Sequence, residues 1–172
     1  MEHPRLTSDF FLRDVLTVAP DLVGKTLVRV FEDGTTGRFT ITETEAYRGS
    51  EDKACHASRG KTPRNGVMFG EGGVIYVYFV YGMHWMLNFV TGHAGDASAV
   101  LIRGAGGVTG PGRVGRLLAL DRSFYGEKLT SSPRLWIEDS DLKVQVKSLP
   151  RVGIPYAGEP WISMPWRYVM IL

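Results

Sequence analysis

The spacing of apolar and polar positions changes period several times along the chain, and each change marks the edge of an element. Residues 7–25, "TSDFFLRDVLTVAPDLVGK", hold a short amphipathic run with Thr7 or Ser8 as candidate N-cap and Gly24 as a stop, which predicts one or two short helices. Residues 26–31 alternate, 32–37 carry turn chemistry ("EDGTTG"), and 38–47 alternate again, which predicts a β-hairpin with a medium loop. Residues 48–73, polar, glycine-rich and containing Pro63, predict a long irregular connection of the kind that carries function. From Gly72 to Gly95 no residue is formally charged, which is long enough to raise a membrane span. Its three tyrosines, two histidines, one asparagine and central Gly82 argue instead for a buried hairpin that turns at Gly82.

Beyond it, "SAVLIRG" (98–104) predicts a strand, and a helix is expected from Pro111 to Leu120. Residues 134–146 predict a final hairpin about "EDSD", and the tail from Arg151 is proline-broken and aromatic. With no internal repeat or linker, the expectation is one domain over 1–172, of α+β class: a curved, mainly antiparallel, open-barrel-like sheet with peripheral helices. A chain of 172 residues with 44% hydrophobic composition can bury the core this requires. A net charge of +2 permits a polyanionic partner without demanding one. The single cysteine, Cys55, cannot form an intramolecular disulfide, and the N-terminus lacks the basic start and apolar run of a secretory signal. The expected location is intracellular, in a bacterium the cytoplasm or nucleoid, with no membrane partner.

Candidate chemistry begins at "TETEAY" (42–47). In a regular strand Ile41, Glu43, Glu45 and Tyr47 share one face while Thr42, Thr44 and Ala46 share the other. Two carboxylates on one face do not make a core pattern, and burial would raise at least one pKa. Two readings stay open: structural ion pairs to arginines such as Arg48 and Arg64, or a general base that activates water. Cys55, His56, His84, His93 and the glutamates could supply metal donors, but no zinc spacing is present, so no metal is expected. In "YVYFVYGMHWMLN" Tyr76 and Tyr78 share a face and Tyr81 sits at the tip. Sheet packing accounts for most of these rings, while Tyr78 could be a stacking platform and Tyr81 a wedge entering a base stack. "GPGRVG" matches G-x-G-x-x-G without the βαβ context of a dinucleotide site, though a helix start beside Arg113 and Arg116 would suit one phosphate. "SRGKTPRN" brings Arg59, Lys61 and Arg64 close to Thr62 and Asn65, either as phosphate contacts or as a solvated loop.

In order, "ETEAY", "ACHASRGKTPRNGVMF", "IYVYFVYGMHWMLN", "AVLIRG", "GPGRVGRLLAL" and "RVGIPYAGE" resemble the motifs of the alkyladenine (3-methylpurine) DNA glycosylase family, over most of residues 5–160. The resemblance implies a monofunctional DNA-repair enzyme that acts as a monomer, without cofactor or lyase step, on double-stranded DNA containing damaged purines. It would flip out 3-methyladenine or 7-methylguanine, with hypoxanthine and ethenoadenine as harder, uncharged substrates, and hydrolyse the N-glycosidic bond to leave an abasic site. Glu45 matches the general base, and Tyr47, His56 and Tyr78 match the residues that sandwich the base. Backbone groups at Ala54 and His56 would read its edge, Asn88 would disfavour guanine, and Arg103 would lie near the flipped nucleotide's phosphate. Tyr81 matches the residue that fills the gap in the duplex, with Gly82, Met83, Thr62, Arg64, Asn65, Leu101 and Arg113 as further DNA contacts. Glu43, deeper in the strand, is expected to be structural. The chain departs from the family pattern in a shortened connection between "LIRGAGG" and "VTGPGRVG" and in Pro160 and Pro165 of the tail. The reading from another class is a non-catalytic nucleic-acid-binding module, for damaged DNA or RNA, on the same sheet.

Overall fold

The computed structural model describes residues 3–171. Two short helices lead, α1 (Ser8–Phe11) and α2 (Val15–Leu22). Thr7 stands at the α1 N-cap without a side-chain bond, whereas the Asp14 carboxylate caps α2 by accepting from the Leu16 N–H at 2.8 Å. Val15, Val18, Ala19 and Leu22 give α2 one buried face, and Gly24 ends the segment with a φ of 93° that a side chain would disfavour. The Ala19 carbonyl near the helix end accepts from the Thr44 hydroxyl at 2.8 Å, which ties α2 to the sheet below it.

Among the described residues nine strands follow: β1 (Thr26–Val30), β2 (Thr36–Arg48), β3 (Ile75–Val80), β4 (His84–Thr91), β5 (Ser98–Ala105), β6 (Val108–Thr109), β7 (Leu135–Glu138), β8 (Gln145–Leu149) and β9 (Arg167–Ile171). They form one antiparallel sheet in the order β3-β4-β5-β2-β1-β7, with β6 on β5, β9 on β2 and β8 on β9, and it does not close into a barrel. The α+β class and the mainly antiparallel sheet are as the periodicity implies. β2 is the spine. Its first half pairs with β1 in the expected hairpin, and its second half runs between β5 and β9.

Two irregularities in β2 alter the alternation expected from sequence. Ile41 faces Ala105 and Glu43 faces Gly104, so Thr42 is an extra residue on β2; Thr44 then faces Ile102, so Arg103 is an extra residue on β5. Ile41 consequently packs in the main core with Ala46 and does not share a face with Glu43 and Glu45. The charge-free segment forms the β3–β4 hairpin, and among the described residues no helix is long and apolar enough to cross a membrane.

The hairpin expected about "EDSD" does not form. β7 pairs with β1, and β8 pairs with β9, a strand in the proline-broken tail that its pattern had not suggested. Alternation located β7 and only the start of β8, which runs on to Leu149, and could not name their partners. After β7 the chain is pulled aside by Asp139, whose side chain meets Lys25 at 2.5 Å and whose N–H donates to the Pro4 carbonyl.

The glycine-rich run has a packing explanation. Gly106 and Gly107, both with positive φ, make the two-residue turn between β5 and β6, and Gly110 (φ 113°) precedes α3 (Pro111–Leu117). The helix stops at Leu117, short of the expected Leu120, and Ala119 just beyond it takes a left-handed conformation (φ 49°). A Cβ on Gly112 would lie 2.8 Å from the His84 ring, and one on Gly115 would lie 2.0 Å from the Trp85 carbonyl oxygen. These glycines let α3 rest directly on the β4 backbone. Gly115→Ala should therefore destabilise the protein by about 1–3 kcal/mol through overpacking. A thermal melt of the variant should fall by several degrees, and an unchanged midpoint would contradict this packing.

Candidate active site

Flanked by β5 and β9, the second half of β2 holds its side chains rigidly. Glu45, opposite Leu101 on one side and Arg167 on the other, is 1% exposed at the floor of a cleft of about 480 Å³. The Tyr47 hydroxyl donates to one of its carboxylate oxygens at 2.9 Å and the Val152 N–H donates to the other at 2.7 Å. Burial pushes the Glu45 pKa up, against the opposing pull of the Val152 N–H, the Arg103 charge and the Tyr47 hydroxyl. Tyr47, buried beside that charge, is held well above the ordinary phenol value and keeps its proton as a donor.

Glu43 has a different environment. Its Oε1 meets Arg103 Nε at 3.2 Å and Arg167 Nη1 at 2.9 Å, a structural ion pair of the kind anticipated. The arginines differ from those suggested by proximity in sequence, since Arg48 pairs with Asp14 and Arg64 donates to the Phe79 carbonyl.

Beside Glu45 lies a narrow aromatic slot. β2 supplies Tyr47, β3 supplies Tyr76 and Tyr78, β4 supplies Asn88, and the connection after β2 supplies Ala54, His56 and Met68; Tyr156 closes the outer side. The His56 and Tyr78 rings meet edge-on at 4.5 Å, and His56 Nδ1 shares a 2.8 Å hydrogen bond with the Tyr76 hydroxyl. One edge of His56 is open to the cleft. The concave protein around it still desolvates the imidazolium, and with Arg64 and Arg59 nearby its pKa is lowered, so the ring is neutral at pH 7. Asn88 Nδ2 donates to the Tyr76 carbonyl at 3.3 Å.

The clamp that joins these parts was not identified from sequence. Arg151 and Asp52, both with fully buried side chains, form a two-pronged pair at 2.6 and 3.0 Å. Arg151 also donates to the Ala46 carbonyl at 3.0 Å and lies 4.9 Å from both the Tyr47 and Trp166 ring centres. Asp52 accepts from the Arg48 and Ala54 N–H groups at 3.0 Å each. Because Val152 follows Arg151, the same pair holds the N–H that meets Glu45. The quoted "RVGIPYAGE" contained this arginine, but its partner is 99 residues away and no local pattern could name it.

The remaining sequence candidates divide by position. Tyr81 and Met83 are 88% and 62% exposed at the hairpin tip. Tyr81 and Gly82 both have positive φ, which strains the non-glycine residue. Arg103, Arg113 and Leu101 line the cleft, with Leu101 buried in its wall. Thr62 and Arg64 line an adjacent groove. Asn65 points inward: its amide accepts from the Thr62 N–H and donates to the His56 and Gly60 carbonyls, so this side chain organises the loop and is not free for a phosphate. Among the described residues no cluster of His, Cys, Asp and Glu could hold a metal ion.

A buried carboxylate thus lies beside an aromatic slot, at the foot of a cleft that carries arginines. Residues 9–109 and 107–171 match the sequence model of the methylpurine-DNA glycosylase family, and the two segments meet at the tight β5–β6 turn, where a shortened connection was expected. A Methanocella arvoryzae protein named "Putative 3-methyladenine DNA glycosylase" is 40% identical over 96% of this chain and 92% of its own length. Proteins of the same name from Anaeromyxobacter dehalogenans and Desulfitobacterium hafniense are 41% and 40% identical over 96% of this chain, and over 83% and 95% of their own lengths. The chain belongs to the methylpurine-DNA glycosylase family, hydrolases of N-glycosyl bonds that serve DNA repair.

The clamp makes a quantitative prediction. Asp52→Ala leaves Arg151 buried without a countercharge, a change that typically costs about 3–5 kcal/mol. Urea unfolding should report a loss of that order, and a loss below about 1 kcal/mol would show that the pair is dispensable.

Proposed function

We propose that residues 1–172 act as a single glycosylase domain, monomeric on double-stranded DNA, that excises alkylated purines such as 3-methyladenine and 7-methylguanine by hydrolysis. The observation that carries this is Glu45: a carboxylate 1% exposed, with one donor on each oxygen, facing a cleft beside an aromatic slot. Each oxygen keeps a free lone pair, one of which can accept the proton of a water as it attacks C1′. The carboxylate also stabilises the positive charge that develops on the sugar.

A purine alkylated at N3 or N7 is cationic in DNA and departs readily, so one base suffices. Between Tyr47, Tyr78 and His56 it would gain stacking and cation–π stabilisation, and the neutral His56 adds no repulsion. Asn88 at the slot wall is suited to disfavour the exocyclic amine of guanine. Flipping is the costly step, for which Tyr81 serves as the wedge, with Gly82 and Met83 beside it. Arg103 and Arg113 line the cleft and Arg64 and Thr62 the adjacent groove, which supports reading them as phosphate contacts, Arg103 while its Nε stays on Glu43. Among the described residues no lysine lines the cleft around Glu45, so no Schiff base and no strand cleavage are expected.

Incubated with alkylated duplex DNA, the protein should release free 3-methyladenine and leave abasic sites; binding without release would favour a non-catalytic module. Glu45→Gln should retain DNA binding and lower single-turnover excision at least about 100-fold. A greater loss from Glu43→Gln would transfer the role of base. Since the folded pKa of Glu45 is raised, excision should fall with acid through a value above the ordinary glutamate figure of about 4.3. The same shift makes ionisation of Glu45 unfavourable to folding: its protonated-state stability is fully present below the ordinary value and lost as pH rises through the folded pKa. Glu45→Gln should therefore melt no lower than wild type at pH 7.

Tyr81→Ser should weaken affinity for a duplex bearing an abasic-site analogue by about tenfold, within the range of one aromatic stacking contact. Its melting point should stay within a few degrees of wild type, and unaltered affinity would remove Tyr81 from the flipping step.

A further inference from the structure

The slot beside Glu45, about 50 Å³, adjoins the cleft of about 480 Å³, and Tyr156 belongs to the wall that lines both, so this ring stands where a purine passes from one to the other. Most of that wall is tied down. Tyr47 is bonded to Glu45, Tyr76 to His56, Asn88 to the Tyr76 carbonyl, and Met68 is 2% exposed. Tyr156 differs: it is 61% exposed, and its hydroxyl makes one hydrogen bond, donated to the Ala54 carbonyl at 3.0 Å. Its backbone is a short 3₁₀ turn, Pro155–Ala157, anchored by the buried Ile154 and Ala157 against Ala54, so the ring can swing while the chain stays in place.

We propose that Tyr156 gates the slot, and that its hydroxyl occupies the backbone acceptor which the incoming base takes over. When the ring swings out, the Ala54 carbonyl loses its donor in a buried setting and must find another. A base that presents an N–H to this carbonyl replaces the lost bond, whereas a base with no donor on that edge leaves the carbonyl unpaired. 3-Methyladenine carries an exocyclic amino group; in 1,N6-ethenoadenine that nitrogen is closed into a ring and has no hydrogen. The gate thus sets a common barrier to entry, and the carbonyl it uncovers favours the amino purine. The inference rests on the proposed reading of the slot as the base pocket.

The test is equilibrium binding of free 3-methyladenine and free, fluorescent 1,N6-ethenoadenine to wild type and to Tyr156→Phe. The variant keeps the ring and loses only the hydroxyl. Wild type should bind 3-methyladenine more tightly, and Tyr156→Phe should tighten both bases by about five- to tenfold, the equilibrium worth of one neutral hydrogen bond. Equal affinities in the two proteins would overturn the gate while leaving the base pocket in place. Absence of binding by either protein, together with absence of excision from alkylated DNA, would overturn the pocket and the gate alike.

Discussion

The buried pair between Arg151 and Asp52 is the constraint on which the site depends. It joins three stretches that share no continuous element: the end of β2 through the Ala46 carbonyl and the Tyr47 ring, the start of the irregular connection through Asp52, and the segment after β8 through Arg151. Desolvating two charges is expensive, and a buried pair is weak evidence of net stability. Here much of that desolvation is compensated by geometry, because the remaining Asp52 acceptor sites take two backbone N–H groups and Arg151 lies against two aromatic rings. Among the described residues Arg151 Nε finds no hydrogen-bond partner. The arrangement fixes where Val152 lies, and through it the orientation of the Glu45 carboxylate.

Much of the fold was legible because its strongest signals are local. The β1–β2 and β3–β4 hairpins follow from alternation and turn chemistry, and Gly82 was correctly read as a turn residue. What could not be read was non-local. β7 and β8 alternate as strands should, yet their partners lie in β1 and in the aromatic tail. The extra residue at Thr42 leaves no mark in the hydrophobic pattern, so Ile41 was assigned to the wrong face. At the site, Glu45, Tyr47, His56 and Tyr78 were all named in advance and line one cleft. Asp52, Val152 and Tyr156 were not, and Arg151 was given no partner, because their importance arises from contacts about 100 residues apart in the chain.

Glu43 and Glu45 show how neighbours of one type acquire different chemistry. Both are buried, two residues apart, and on the same side of the strand. Two guanidinium groups meet Glu43, whereas Glu45 receives only neutral donors directly and feels Arg103 at longer range. Arginines that neutralise the first carboxylate thus leave the second basic and open to the cleft. The two helices at the N-terminus and the glycines of α3 serve the same end indirectly, by pressing the opposite face of the sheet and the tip end of the β3–β4 hairpin into fixed positions.

The paired irregularities at Thr42 and Arg103 bear on how this strand can vary. One extra residue on β2 is cancelled by one extra residue on β5, so the pairing from Thr44↔Ile102 to Arg48↔Ser98 keeps the register it would have had without either. Side chains along this stretch can be exchanged without disturbing the pairing, but a change of length on one strand alone would slide Glu45 past its neighbours and turn it toward the core. Insertions and deletions here must therefore arise as matched pairs on two strands about 60 residues apart, which makes chain length a stricter condition on this site than composition.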